Sequence, residues 1–166
     1  MRIVYDASAH MSPQALSLND CLHTGPNLMQ HLQSMLLKFR LQAVAFTAGI
    51  EQAFLQIEIN LEDRDATRFL WLKDVNRSAN DPDNLVKYRF CRVLFEAVQS
   101  PYLLNATIQH HLAKEYDWVS KDLRQSIYMD NVVTGTDTDM EALQYYTSSR
   151  NIFNKAHMNL RQWSSN

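Results

Sequence analysis

Residues 125–135, QSIYMDNVVTG, place two short apolar runs on either side of the pair Asp130-Asn131. Two β-prone runs flanking short polar residues are the signature of a hairpin. Asp and Asn both tolerate the positive φ of a two-residue type I′ turn, so the pair is acceptable as a turn with no further role. An Asp at the tip of a strand-turn-strand unit is also held on a rigid support, which suits a carboxylate presented to a metal ion. The rest of the chain has to separate these readings.

Beyond the hairpin, apolar Ala142, Tyr145, Tyr146, Ile152, Phe153 and Ala156 recur at helical spacing between Thr138 and about His157, after Thr and Asp residues able to cap. NLRQWSSN then reads as a closing strand. Towards the N-terminus, SPYLLNATIQHHLAKEY has Pro101 near its start and Leu104, Ile108 and Leu112 four apart, predicting a helix over 101–116. LVKYRFCRV alternates Val86, Tyr88 and Phe90 with Lys87, Arg89 and Cys91, the pattern of a half-buried strand. Residues 74–84 are polar and turn-forming, hence an exposed loop.

FLWLK is a further strand, preceded by one or two helical turns in NLEDRDATR. QAVAFTAGI and FLQIEI, the latter with alternating Leu55, Ile57 and Ile59, predict two strands joined by a tight bend. TGPNLMQHLQSMLLKFR puts Leu28, Leu32, Met35, Leu36 and Phe39 on one face of a helix over 26–39 starting at Pro26. RIVYDAS suits an extended edge segment. With no internal repeat, this order describes an α+β domain: an antiparallel sheet, bare on one face, covered by helices. Its strands are expected around 44–48, 86–92, 125–129 and 132–134, with Gly49 and Asp130 close together.

At 166 residues, 46% hydrophobic and 20% charged, the chain reads as one globular domain spanning 1–166. A formal net charge of −2 offers no global attraction for nucleic acid, so phosphate binding would rest on local clusters of Lys and Arg. Cys21 and Cys91, without a CxxC partner, predict buried thiols in a reducing compartment. The opening MRIVYDASAH carries no signal-peptide pattern and no run approaches a membrane span, so the expected location is cytoplasmic. Three glycines, Gly25, Gly49 and Gly135, leave no P-loop or dinucleotide fingerprint. Neither HExxH nor GxSxG occurs, and Cys21 with His23 lacks a second Cys/His pair to complete a zinc site.

The blocks RIVYDASA, LSLNDCLHTGPNL, VAFTAGIEQAFLQIEI, LEDRDATRFLWL, SPYLLNATI, YMDN and MNLRQWSSN follow one another across nearly the whole chain. In order and approximate spacing they resemble the reverse transcriptases of BEL/Pao-type LTR retrotransposons. The resemblance implies a reverse-transcriptase-like palm with partial fingers, ending where the palm's last strand ends, without thumb, connection or RNase H. It implies an RNA-directed DNA polymerase ancestry, with template and primer nucleic acid as partners and two Mg²⁺ ions held by three Asp carboxylates. One such carboxylate would follow the first palm strand and two would lie in a Tyr-x-Asp-Asp hairpin.

The chain departs from that pattern where chemistry matters. Ala48-Gly49-Ile50 stands where the family has Ala-Asp-Ile, and Tyr128-Met129-Asp130-Asn131 where it has Tyr-x-Asp-Asp. Asp130 is then the surviving metal ligand, and Gly49 and Asn131 are degenerate positions. Formal ligand charge falls from −3 to −1, too little to hold two dications about 4 Å apart. Weak or no Mg²⁺ binding is expected. Glu96 replaces a family glycine and sets a carboxylate against an incoming triphosphate.

By the same resemblance Arg2, Phe54, Gln99, Tyr128 and Met129 are nucleotide-binding positions, and Asp6 braces the fingers strand. Phe54 and Met129 are equally acceptable as packing, and Arg2 as a solvated terminus. Arg64, Arg68, Lys73, Lys38 and Arg40 would line a template track, or else form a solvated, self-paired face. The expected protein is a catalytically inactive reverse-transcriptase relative. The alternative is a non-enzymatic, domesticated nucleic-acid-binding or assembly module whose partner covers the surface a thumb would occupy.

Overall fold

The computed structural model describes residues 5–78 and 80–166. Its elements run α1 (Leu18–Cys21), α2 (Leu32–Leu41), β1 (Val44–Ile50), β2 (Arg68–Leu72), β3 (Leu85–Arg89), α3 (Ser100–Leu112), α4 (Trp118–Ser126), β4 (Ile127–Tyr128), β5 (Asn131–Thr136), α5 (Asp139–Lys155) and β6 (Leu160–Ser165). Short 3₁₀ turns occupy Ala53–Gln56, Arg64–Thr67 and Pro82–Asn84. The main sheet has the order β4-β5-β1-β6, and its paired strands are antiparallel. β2 and β3 form a separate antiparallel pair.

Alternation along β1 sends Phe46, Ala48 and Ile50 into the core, while β5 buries Val132, Thr134 and Thr136. The helices close over that face with Leu104, Ile108 and Leu112 from α3, Val119 and Leu123 from α4, and Tyr145, Ile152 and Phe153 from α5. Each fully buried Leu or Ile contributes on the order of 1.5–3 kcal/mol. α5 starts where the sequence predicts. The Thr138 hydroxyl accepts the Glu141 N–H while the Glu141 carboxylate accepts the Thr138 N–H, a reciprocal cap that satisfies two otherwise free donors.

One polar group organises the buried side. The Asp122 carboxylate on α4 pairs with Lys38 of α2 and accepts from Ser126 (3.0 Å), Thr134 (2.8 Å) and Tyr145 (3.0 Å). Three helices and the central strand β5 thus share one anion, whose removal would strand several donors at once.

Several expectations give way to packing. α2 begins at Leu32, not Pro26, and of its predicted apolar face only Met35 is buried. Gly25, at φ +76°, lies flat against the Tyr102 ring, where any Cβ would fall 2.4 Å from a ring carbon. FLQIEI is not a strand. Adjacent Ala53 and Phe54 are both buried and Leu55 is exposed, which no period-2 strand achieves, so the chain coils there and regains only a single bridge, Glu58 to Arg92. Residues 86–92 do not join the main sheet. β3 pairs with β2 and stops at Arg89, where the Thr67 hydroxyl takes the Phe90 N–H at 3.2 Å. α4 is absent from the sequence reading because its apolar side amounts to little more than Val119 and Leu123, four apart; Asp117 caps its start. Cys21 and Cys91 are exposed rather than buried, since each lies in a surface segment outside the core cluster. Of the RIVYDAS segment, residues 5–8 form no strand, and residues 2–4 lie outside the described residues.

Candidate functional site

The β1–β5 ladder runs in unbroken register from Val44 opposite Thr136 to Gly49 opposite Asn131. It closes with the Ile50 N–H donated to the Asp130 carbonyl at 2.7 Å. This pairing places the three positions chosen from the sequence, Gly49, Asp130 and Asn131, at one end of the sheet. A Cβ added to Gly49 would meet Gln162 Oε1 at 3.5 Å, Asn131 Oδ1 at 3.7 Å and the Arg161 carbonyl at 4.0 Å, all ordinary contacts. The position has room for a Cβ.

The hairpin turn differs from expectation. Tyr128 pairs with Asn131, so the loop residues are Met129 and Asp130, and Asn131 is already strand. Met129 has φ +57° and Asp130 has no positive φ, so the turn is not a type I′ turn over Asp130-Asn131. A side chain other than glycine in that region costs about 1–2 kcal/mol. Two more left-handed residues adjoin the site. Gln52 (φ +49°) leads into the 3₁₀ turn, and Gln162 (φ +54°) is in the β6 bulge opposite Ala48, between the Thr47 and Gly49 pairings, where β6 has one residue more than β1. Such strain concentrates where the surrounding packing over-determines the backbone.

Beside the hairpin opens a cleft of about 670 Å³ that brings Phe54, Glu96 and Asp130 together with Tyr5, Gln52 and Phe95. Phe54 is buried and meets exposed Phe95 edge-to-face at 5.4 Å; Tyr5 meets Phe90 likewise at 5.5 Å. Tyr128 and Met129 are on the adjoining hairpin. Gln99 is not in this cleft but lines another cavity. Arg2 lies outside the described residues, and Asp6 accepts the Ser8 N–H in a local turn.

The charges are largely spoken for. Asp130 Oδ1 accepts the Asn131 side-chain N–H at 2.8 Å, so the neighbouring amide satisfies one carboxylate oxygen. Glu51, at the end of β1, is bound by Arg161 (2.7 Å) and Asn159 (3.1 Å). Among the described residues no group of three His, Cys, Asp or Glu side chains is arranged to hold a metal ion. One engaged carboxylate, one amide and a bare glycine do not fit a pair of Mg²⁺ ions, which demand charged oxygen ligands in near-octahedral array.

Of the basic residues considered for a template track, Lys38 pairs with Asp122, Arg64 with Glu58, and Arg68 with Asp65, which also binds Arg89. The Arg89 hydrogen bond, with help from Arg68, holds the Asp65 carboxyl below its usual range. Only Arg40 and Lys73 of that set form no ion pair among the described residues. Sequence reasoning missed Glu51, Gln52, Phe95 and Gln162. Their placement follows from the 3₁₀ turn and the bulge, which leave no periodic signal.

No protein-family model and no curated protein matches the chain. Solved structures do. The foamy viral protease-reverse transcriptase in complex with an RNA/DNA hybrid superimposes with a TM-score of 0.57 at 20% identity, covering 77% of this chain and 15% of that one. The prototype foamy virus protease-reverse transcriptase CSH mutant gives 0.65 at 18% identity, over 87% and 17%. The foamy viral dRH form in complex with double-stranded DNA gives 0.62 at 19% identity, over 89% and 22%. The architecture is therefore a reverse-transcriptase-like α+β fold with the antiparallel sheet of a palm. At these identities the likeness concerns fold alone, and the chain spans less than a quarter of each matched chain.

Proposed function

We propose that this protein is a degenerate palm with partial fingers, descended from a reverse transcriptase of the BEL/Pao type and without polymerase competence. β2 and β3 are the fingers remnant in this reading, and the cytoplasm its compartment. The observation that carries it is the cross-strand pair Gly49–Asn131 beside Asp130. In this reading the pair is the backbone frame of a former carboxylate cluster that has lost two of three carboxylates, and the cross-strand register with room for a Cβ at Gly49 supports it. Glu96 in the same cleft adds a negative charge where a triphosphate would approach. Any hold on template and primer is weak, because most candidate cations are internally paired.

Primer extension on an RNA template with Mg²⁺ or Mn²⁺ tests this directly. The expected result is no incorporation above a heat-inactivated control. Incorporation that persists in Asp130→Asn would point to a contaminant, whereas incorporation lost in that variant would overturn the reading. A second reading, a non-enzymatic assembly module, is favoured by Leu37 and Leu41 on α2, which are 64% and 83% exposed. Sedimentation over a concentration range, with Leu37→Glu/Leu41→Glu as control, discriminates it.

A further inference from the structure

α2 spans Leu32–Leu41 with the sequence LQSMLLKFRL. About its midpoint, between Leu36 and Leu37, the two halves mirror each other: Leu32 answers Leu41, Gln33 answers Arg40, and Leu36 answers Leu37. Burial follows the same mirror. Met35 and Lys38 turn inwards, Met35 into the core and Lys38 onto Asp122, while Leu32 (44%), Leu36 (45%), Leu37 (64%), Leu41 (83%), Gln33 and Arg40 are exposed. At about 100° per residue, Gln33 and Arg40 share nearly one line along the helix, with Leu36 and Leu37 about 50° to either side of it.

Four exposed leucines on one short helix leave an apolar face uncovered. The mirror pattern specifies what covers it. Two copies of α2 packed antiparallel about a two-fold axis set Leu36 on Leu37 of the second copy at the centre and Leu32 on Leu41 of the second copy at either end. In the same register the Arg40 guanidinium donates to the Gln33 amide oxygen of the second copy, and Arg40 forms no ion pair among the described residues that would compete. A parallel pair would set Arg40 against Arg40, a like-charge contact. Sliding the antiparallel pair by one turn would set Arg40 on Leu37 or Gln33 on Leu36, a polar group against an apolar one. A partner of unrelated sequence needs no such symmetry.

We propose that α2 is the contact of a homodimer, paired antiparallel with α2 of a second copy in the register that sets Leu36 on Leu37 and Gln33 on Arg40. The proposal rests on the assembly reading of this surface and adds to it the partner and the register. A ten-residue helix is about 15 Å long, so the contact is smaller than a standard interface and the dissociation constant is on the order of 100 µM.

Sedimentation equilibrium of the full chain, from about 10 µM to about 1 mM, tests the register through charge variants at exposed positions, with circular dichroism confirming that each is folded. Gln33→Glu offers a carboxylate to Arg40 of the second copy and should tighten the dimer about threefold. Gln33→Arg brings two guanidiniums together and should weaken it about fivefold, and adding Arg40→Glu to that variant should restore the affinity. Within one helix these positions are two turns apart, beyond the reach of side-chain pairs three or four residues apart, so the effects arise between copies. Leu36→Glu/Leu37→Glu should leave a monomer. A chain that stays monomeric to about 1 mM would overturn the proposal and the assembly reading with it. A dimer lost in Leu37→Glu/Leu41→Glu yet indifferent to the charges at 33 and 40 would keep the assembly reading and overturn the pairing proposed, and a dimer indifferent to the leucine variants would overturn both.

Discussion

Gly49 and Asn131 lie directly opposite one another across the β1–β5 ladder, with the Asn131 side-chain N–H on Asp130 Oδ1 and only ordinary van der Waals contacts awaiting a Cβ at Gly49. Antiparallel partners hold their Cβ atoms about 4.5–5.5 Å apart. Carboxylates at these two positions would therefore converge beside Asp130 with no change of backbone.

Gly49→Asp with Asn131→Asp restores a formal charge of −3 at the end of the sheet. Without metal the three carboxylates repel and the melting temperature should fall. Mg²⁺ binding only the folded state should return part of that loss, about 1.4 kcal/mol at ten times the dissociation constant. Thermal melts with and without Mg²⁺ check this, with the unmodified chain showing no comparable rise. A double variant indifferent to Mg²⁺ would remove the case for a former metal site.

Met129 occupies a left-handed conformation that glycine adopts freely. Met129→Gly should therefore stabilise the hairpin by roughly 1 kcal/mol, unless the lost thioether packing of this half-exposed residue exceeds the relief. Urea unfolding provides the measurement. A loss of more than about 1 kcal/mol would show that packing, not strain, dominates at the turn.

Asp122→Asn keeps one acceptor oxygen but abolishes the charge that Lys38 pairs with and that three hydroxyls share. Hydrogen bonds to charged groups contribute about 1.5–3 kcal/mol each, and loss here is shared among several. Destabilisation of about 3 kcal/mol is expected. A change within 0.5 kcal/mol, the usual scale of a surface substitution, would mean that the network is incidental.

Tyr145 sets an alkaline limit. Burial, then the nearby Asp122 charge and hydrogen bond, raise its phenol well above the ordinary value of 10.0. A group whose folded value is raised holds its proton more tightly when folded. Its stabilising contribution is complete below pH 10 and declines as pH climbs from there towards the folded value. Unfolding free energy should fall above pH 10. Tyr145→Phe should lose about 1–2 kcal/mol at neutral pH with the Asp122 hydrogen bond, yet show a shallower alkaline decline. Parallel slopes above pH 10 would assign the decline to other groups.

Some of this architecture is plain in the linear chain. Local patterning that the fold does not contradict reads true: the α3 repeat of Leu104, Ile108 and Leu112, the capping Thr at the start of α5, the β-prone run of β1 and the closing strand. The hairpin was also legible, and with it the closeness of Gly49 to Asp130. The local elements depend on residues near in sequence and on one dominant period, whereas the closeness of Gly49 to Asp130 was expected from the family resemblance alone.

What escaped the sequence depends on neighbours distant in the chain. Ala53 and Phe54 are both drawn into the core, so FLQIEI coils although its apolar residues alternate. β3 finds β2 rather than the main sheet, and the register that opposes Tyr128 to Asn131 moves the left-handed residue from the Asp-Asn pair to Met129. The order of residues alone establishes which side chains exist, and so that a carboxylate stands at 130 and none at 49 or 131. It took the folded chain to set the Asn131 amide on Asp130 and Arg161 on Glu51. Hydrogen bonds and charges act over a few ångströms of space, and the chain separation of their partners leaves no local pattern to read.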